Sequence, residues 1–259
     1  MPITQLLLLK VPTLLLCVIM VGGTVLLTVG GLALVRRLIP HHRLKLHNDV
    51  AGPIFGTLGV IYAVLLAFVV VIAWGNFDRA AQNVEREADS LSDLSRDAEC
   101  FPLDFRQSVR SLISEYAKVV MQDEWRLISR GQVSTRAEEI EKKLWLAYGS
   151  FSPRTEAERI FFEESVRKLN NFGELRMMRL IESRTGVHPL LWTVLILGGL
   201  VTIAFTFFFG AENLNAQMTM SVLLSILISL ILFTILNLDF PFSGDIRISS
   251  APFRQLIIK

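Results

Sequence analysis

The sequence predicts an all-α integral membrane protein with four transmembrane helices and a helical cytoplasmic domain inserted between spans two and three. Three observations predict it. Residues 11–35, 53–75, 189–210 and 217–238 are apolar over the length a helix needs to cross a bilayer. Between the second and third stretches, apolar residues recur at three- and four-residue spacing, and no strand-like alternation competes. The composition, 52% hydrophobic with mean hydropathy +0.48, is too apolar for an ordinary soluble domain. The chain of 259 residues then divides into a first membrane hairpin (1–75), a soluble domain (76–188), a second hairpin (189–238) and a tail (239–259).

The first span, 11–35, is too long for a signal-peptide core and meets Arg36–Arg37 at its end. Gly22–Gly23 and Gly30–Gly31 within it favour close helix packing. The polar loop that follows holds His41, His42 and His47, which with Asp49 match no metal-binding spacing and read as interfacial residues. Asn48–Asp49 reads as the cap of the second helix, with Pro53 in its first turn. That helix carries no charge from Gly52 through Trp74. Gly52, Gly56, Gly59, Ala63 and Ala67 form one small-residue face, suited either to packing inside one subunit or to packing around a symmetry axis with a pore.

Nothing stops this helix at the membrane surface. Phe77, Val84, Leu91 and Ala98 recur every seven residues, so it continues as an amphipathic rod whose seam calls for a neighbour. Glu85, Asp89, Asp93 and Asp97 form an acidic ladder on the rod, either a solvated face or one turned to a partner or a permeating cation. Phe101–Pro102 breaks the rod, and Gly131 ends the next helix. Ile140, Leu144, Ala147 and Tyr148 mark another, and Ser152–Pro153 reads as the cap of the last soluble helix, which stops near Gly186. The short loop after residue 210 makes spans three and four an antiparallel hairpin. Gln217, Ser221, Ser225 and Ser229 align on span four, as hydrogen-bonding groups for a neighbouring helix or their own backbone, or as a water-facing surface.

No Asp, Glu, His or Lys lies inside a span, which argues against a proton-coupled carrier. Nucleophile motifs, phosphate loops, zinc helices and dinucleotide fingerprints are missing, so neither an enzyme nor a cofactor is expected. The carboxylates of the soluble part sit among Arg and Lys and read as solvated faces. A net charge of +2 does not encourage a nucleic-acid partner. Cys17 and Cys100 have no redox or metal spacing and read as small buried residues.

The run HNDVAGPIFGTLGVIYAVLLAFVVVIAW, the acidic rod and LDFPFSGDIRIS after the last span resemble the bestrophin-like domain-of-unknown-function family of bacterial membrane proteins. The Pro-Phe-x-Gly turn (Pro241, Phe242, Gly244, preceded by Asp239) is among its specific parts. The resemblance implies a pentameric ion channel with its pore lined by the second span. True bestrophins carry Pro-Phe-Gly directly, followed by an acidic cluster that binds calcium. Here Ser243 intervenes and only Asp245 follows, which argues against calcium binding. The expected partners are the lipid bilayer, further copies of the chain and inorganic ions. The alternative is a membrane scaffold or signalling module that binds a partner through its soluble domain. Lys10, Arg247, Arg254 and Lys259 on one side balance Arg36, Arg37, Arg43 and Lys45 on the other. Arg79, Arg86, Arg176, Arg179 and Arg184 then favour cytoplasmic termini and a cytoplasmic soluble domain, in a bacterial inner membrane.

Overall fold

The computed structural model describes residues 3–257, without the side chains of Ile3, His41 and His42, so Lys259 and those two histidines lie outside what is described. All regular structure among the described residues is helical. In chain order the helices are α1 (Ile3–Lys10), α2 (Thr13–Leu38), α3 (His41–Lys45), α4 (Asn48–Asp97), α5 (Leu103–Val119), α6 (Trp125–Ile128), α7 (Thr135–Ser150), α8 (Glu156–Glu182), α9 (Pro189–Phe205) and α10 (Leu214–Asp239). Four stretches are long and apolar enough to cross a membrane: Thr13–Leu38, Asn48–Cys100, Pro189–Phe208 and Leu214–Asp239. The chain forms two compact units. One comprises Lys10–Gly75 and Gly186–Asp239. The other comprises Met1–Leu9, Asn76–Thr185 and Phe240–Lys259. Residues 3–9, assigned by sequence to the first hairpin, and 240–257 group with the helices of this second unit.

In the first unit the span ends differ from the expected ones for local reasons. α10 begins at Leu214 because Asn213 caps it, its Oδ1 accepting from Ala216 N at 3.1 Å. α4 begins at Asn48, but Asn48 is not its cap. Its amide donates to Gly210 O and accepts from Gly210 N, at 3.2 and 3.0 Å, while the His47 carbonyl takes the first helical N–H from Ala51. Pro53 therefore lies inside the helix. The polar stripe of α10 is buried rather than wet. Ser229 Oγ meets Thr24 Oγ1 of α2 at 2.5 Å, Ser225 bonds Val222 O, and Gln217 donates to Thr206 O and Phe209 O. Small hydroxyls at this seam let two apolar helices approach closely, which lipid alone would not drive.

The second unit buries the seam of the rod within its own chain. Val84, Ala88, Leu91, Leu94 and Ala98 are inaccessible and join one core with Ile113, Tyr116, Ile128, Leu144, Leu169 and Phe172. The neighbour that the seven-residue repeat calls for is thus intramolecular. α5 passes through a wide π turn at Val120–Glu124 into α6, and Gly131 at φ +67° reverses the chain. The cap of α8 is Thr155, not Ser152. Thr155 Oγ1 accepts from Glu158 N while Glu158 Oε2 accepts from Arg154 N, a reciprocal box that leaves residues 151–154 outside the helix. Cys100 is exposed and Cys17 half-buried, and both are free, so neither is the buried residue expected.

Candidate functional site

The membrane part of α4 has two distinct faces. Tyr62, Leu66, Val69 and Ala73 repeat by four, three and four and are buried against the chain. Tyr62 donates to Leu195 O of α9 at 2.8 Å. Gly52, Gly56, Gly59, Ala63 and Ala67 lie on another face, roughly a quarter turn away at 100° per residue. Gly56, Ala63 and Ala67 are exposed, and a Cβ added at Gly52, Gly56 or Gly59 meets nothing within 4 Å. At its glycines the small-residue face thus makes no close packing contact within the single chain.

The acidic ladder divides. Glu85 and Asp89 are exposed. Asp97 is buried with Lys168 Nζ at 3.0 Å, and Asp93 lies between Arg96 at 3.4 Å and Lys168 at 3.6 Å. Among the described residues, Glu85 and Asp89 are the two ladder members with no ion pair, while Asp93 and Asp97 are paired.

The signature turn is structural. Asp239 accepts from Val187 N and, at 3.1 Å, from Trp192 Nε1, tying the start of α9 to the end of α10. In the other unit, Phe242 packs edge-on against Trp125 at 5.8 Å, and Pro241 O accepts from Ile248 N. Gly244 takes φ +80°, which only glycine adopts without strain. The additional Ser243 is buried and donates to Ser129 O at 2.7 Å. Gln5 of α1 reaches the same place, its Nε2 donating to Ser129 O and Ser243 Oγ. Among the described residues, no three His, Cys, Asp or Glu side chains converge to hold a metal.

Sequence reasoning missed the polar centre of the soluble unit. Glu87 and Glu124, read as solvated, are fully buried. Arg179 grips Glu87 through Nε at 2.6 Å and Nη2 at 2.9 Å, and reaches Glu124 at 3.2 Å. Tyr116 donates to Glu87 at 2.7 Å. Arg176 bridges Glu124 at 2.9 Å and Glu141 at 2.7 Å. The rings of Trp125 and Phe253 lie 5.4 and 5.9 Å from the Arg179 guanidinium. Burial alone would lower the Arg179 pKa, but Glu87 and Glu124 hold it well above the usual value. Burial, reinforced by the Glu87 charge, raises the Tyr116 hydroxyl well above its usual range, so it stays a donor. Arginine suits such a site because its planar fork satisfies several acceptors at once.

Comparison with known proteins places this architecture. A Bestrophin-like domain model matches residues 22–253. No curated protein matches. Among solved structures, a bacterial Bestrophin homolog from Klebsiella pneumoniae aligns with TM-score 0.69 at 14% identity, over 93% of this chain and 95% of that one. A leucine-to-threonine variant of that homolog aligns with TM-score 0.72 at 14% identity, over 92% and 96%. A membrane protein with a proline-to-alanine substitution gives 0.69 at 14% identity, over 93% and 96%. At these identities the likeness is one of fold. The match along nearly the whole sequence, in a chain with four helices long and apolar enough to cross a membrane and further helices between the second and third, establishes that the chain belongs to the Bestrophin-like family.

Proposed function

We propose that several copies of the chain assemble around the second span into an ion channel. The observation that carries this reading is the small-residue face of α4, which is open in the single chain while the neighbouring face is filled by Tyr62, Leu66, Val69 and Ala73. Glycine and alanine on an open membrane face permit close approach of another helix. Five copies is the number that family membership suggests. Both termini and residues 76–188 are cytoplasmic in this reading, on the bias of Arg79, Arg86 and Arg184 at the span ends, in a bacterial inner membrane.

In this channel Glu85 and Asp89 form two carboxylate rings near the mouth, and no Lys or Arg within residues 11–35, 53–75, 189–210 or 217–238 attracts an anion. Rings of fixed negative charge raise the local cation concentration, so the pore prefers potassium over chloride. Asp93 and Asp97 contribute less, because Lys168 neutralises them. Purified protein in planar bilayers under a KCl gradient tests both levels. A reversal potential on the potassium side is expected, and Glu85→Gln with Asp89→Asn should move it towards zero. A chloride-side potential, or no change in the double variant, removes the cation preference. Absence of any conductance removes the channel reading and favours the scaffold.

A further inference from the structure

We propose that Tyr62 is the positioning residue that fixes the rotation of the second span, and so decides which of its residues line the pore. This rests on the channel reading above. A helix apolar on every side gains nothing in lipid by facing one way, because acyl chains are as apolar as its neighbours. The span from Gly52 to Trp74 is such a helix. Asn48 ties its start to Gly210, and Leu66, Val69 and Ala73 pack below it, so Tyr62 is the contact inside the span that combines a hydrogen bond with a fitted notch. Of its two hydroxyl side chains, Thr57 bonds its own backbone at Pro53 O, and Tyr62 bonds another helix.

The receiving surface is shaped for that ring. Gly198 and Gly199 of α9 lie under it: a Cβ at Gly198 would stand 2.7 Å from ring carbons Cδ2 and Cε2, and one at Gly199 would stand 2.8 Å from the hydroxyl. The ring thus occupies the space of two missing side chains, and its hydroxyl is held by Leu195 O one turn earlier. With Tyr62 seated, Gly56, Ala63 and Ala67 are exposed on one face, with Gly59 half-buried beside them. Thr57, Val60, Val64 and Phe68, a face of larger and branched side chains, are also exposed in the single chain, and a slip of one residue would turn the helix by about 100° and put that face where the small-residue face now stands. The notch and the small-residue face are therefore two parts of one device.

The test uses the full chain in proteoliposomes, with Cys17→Ser and Cys100→Ser removing the native thiols, and single cysteines at Ala63→Cys or Val64→Cys. A charged, membrane-impermeant thiol reagent reports water access. Ala63→Cys should react roughly tenfold or more faster than Val64→Cys, because the reactive thiolate forms in water and not in lipid. Tyr62→Phe keeps the ring in the notch and should preserve that ratio. Gly198→Ala and Tyr62→Ala should collapse it. A merely structural loss would slow both cysteines together and leave the ratio intact. An unchanged ratio in Gly198→Ala and Tyr62→Ala, in channels that still conduct, overturns the role of Tyr62 alone. No modification of either cysteine, together with no conductance in the parent, overturns the channel reading and this inference with it.

Discussion

Arg179 shows how much a single side chain carries here. It is fully buried, and its charge is tolerated because Glu87, Glu124 and two aromatic rings surround it. Removing one partner of such a pair leaves the others charged and dry. Arg179→Met should cost about 3–5 kcal/mol, read from denaturant melts followed by the near-ultraviolet signal of the buried aromatics. Adding Glu87→Gln should recover part of the loss, since one orphaned charge goes with it. A cost below about 1 kcal/mol for the single change would mean the network is idle. Glu182 makes a pH-dependent case. Burial raises its pKa, opposed by Asn83 and Arg79. A carboxyl whose folded pKa exceeds its unfolded one holds its proton more tightly when folded, so its contribution to stability falls as pH rises through that window. Glu182→Gln should therefore melt above the wild type at neutral pH, with the gain vanishing as pH drops below the ordinary value of 4.5. Parallel melts at every pH would refute this. Neither residue was legible in the sequence. Glu87 sits between ladder members on a charged rod, and its partner is 92 positions away. Spacing along one helix does not reveal which charge a distant helix will cover.

Elements were far more legible than their ends. The four apolar runs, the break at Phe101–Pro102 and the stop at Gly131 follow from hydropathy and from residues that cannot continue a helix. Caps were misread where a side chain had a tertiary use or where a better local cap lay a few residues on. Asn48 looks like a cap and is a clamp on Gly210. Ser152–Pro153 resembles a helix start, yet the reciprocal bonds of Thr155 and Glu158 win. Gly210 is the sharpest consequence at this scale, since a Cβ there would stand 2.1 Å from Lys45 N. A backbone atom cannot swing aside as a side chain can. Gly210→Ala should destabilise at the upper end of about 1–3 kcal/mol, the usual cost of overpacking. Gly22→Ala, where the added methyl meets nothing within 4 Å, is the control and should leave the thermal midpoint in detergent unchanged.

For the whole molecule, fold class and family could be read from the residues, while the basis for assembly had to be revised. The seven-residue seam after Phe77 is satisfied inside the chain, so the proposed self-association has the open face of α4 as its basis and no longer the rod. Gly56→Leu fills that face without touching the rod. It should shift native mass spectra from oligomer to monomer and leave the helical signal intact, and an unaltered oligomer would exclude this face as the contact. The composition of the second unit also dictates when it can be finished. Its core joins Val84 and Tyr116 to Phe242 and Phe253, and Gln5 donates to Ser129 and Ser243. During synthesis residues 76–185 emerge before the second hairpin, and 240–257 only after it. The rings that cover Trp125 and flank Arg179 are therefore the last to arrive, and Gln5 must wait for Ser243 through almost the entire translation of the chain. A nascent chain arrested before residue 240 holds a soluble unit with an open core, which a protease added to ribosome-bound intermediates should cut and the released protein should resist.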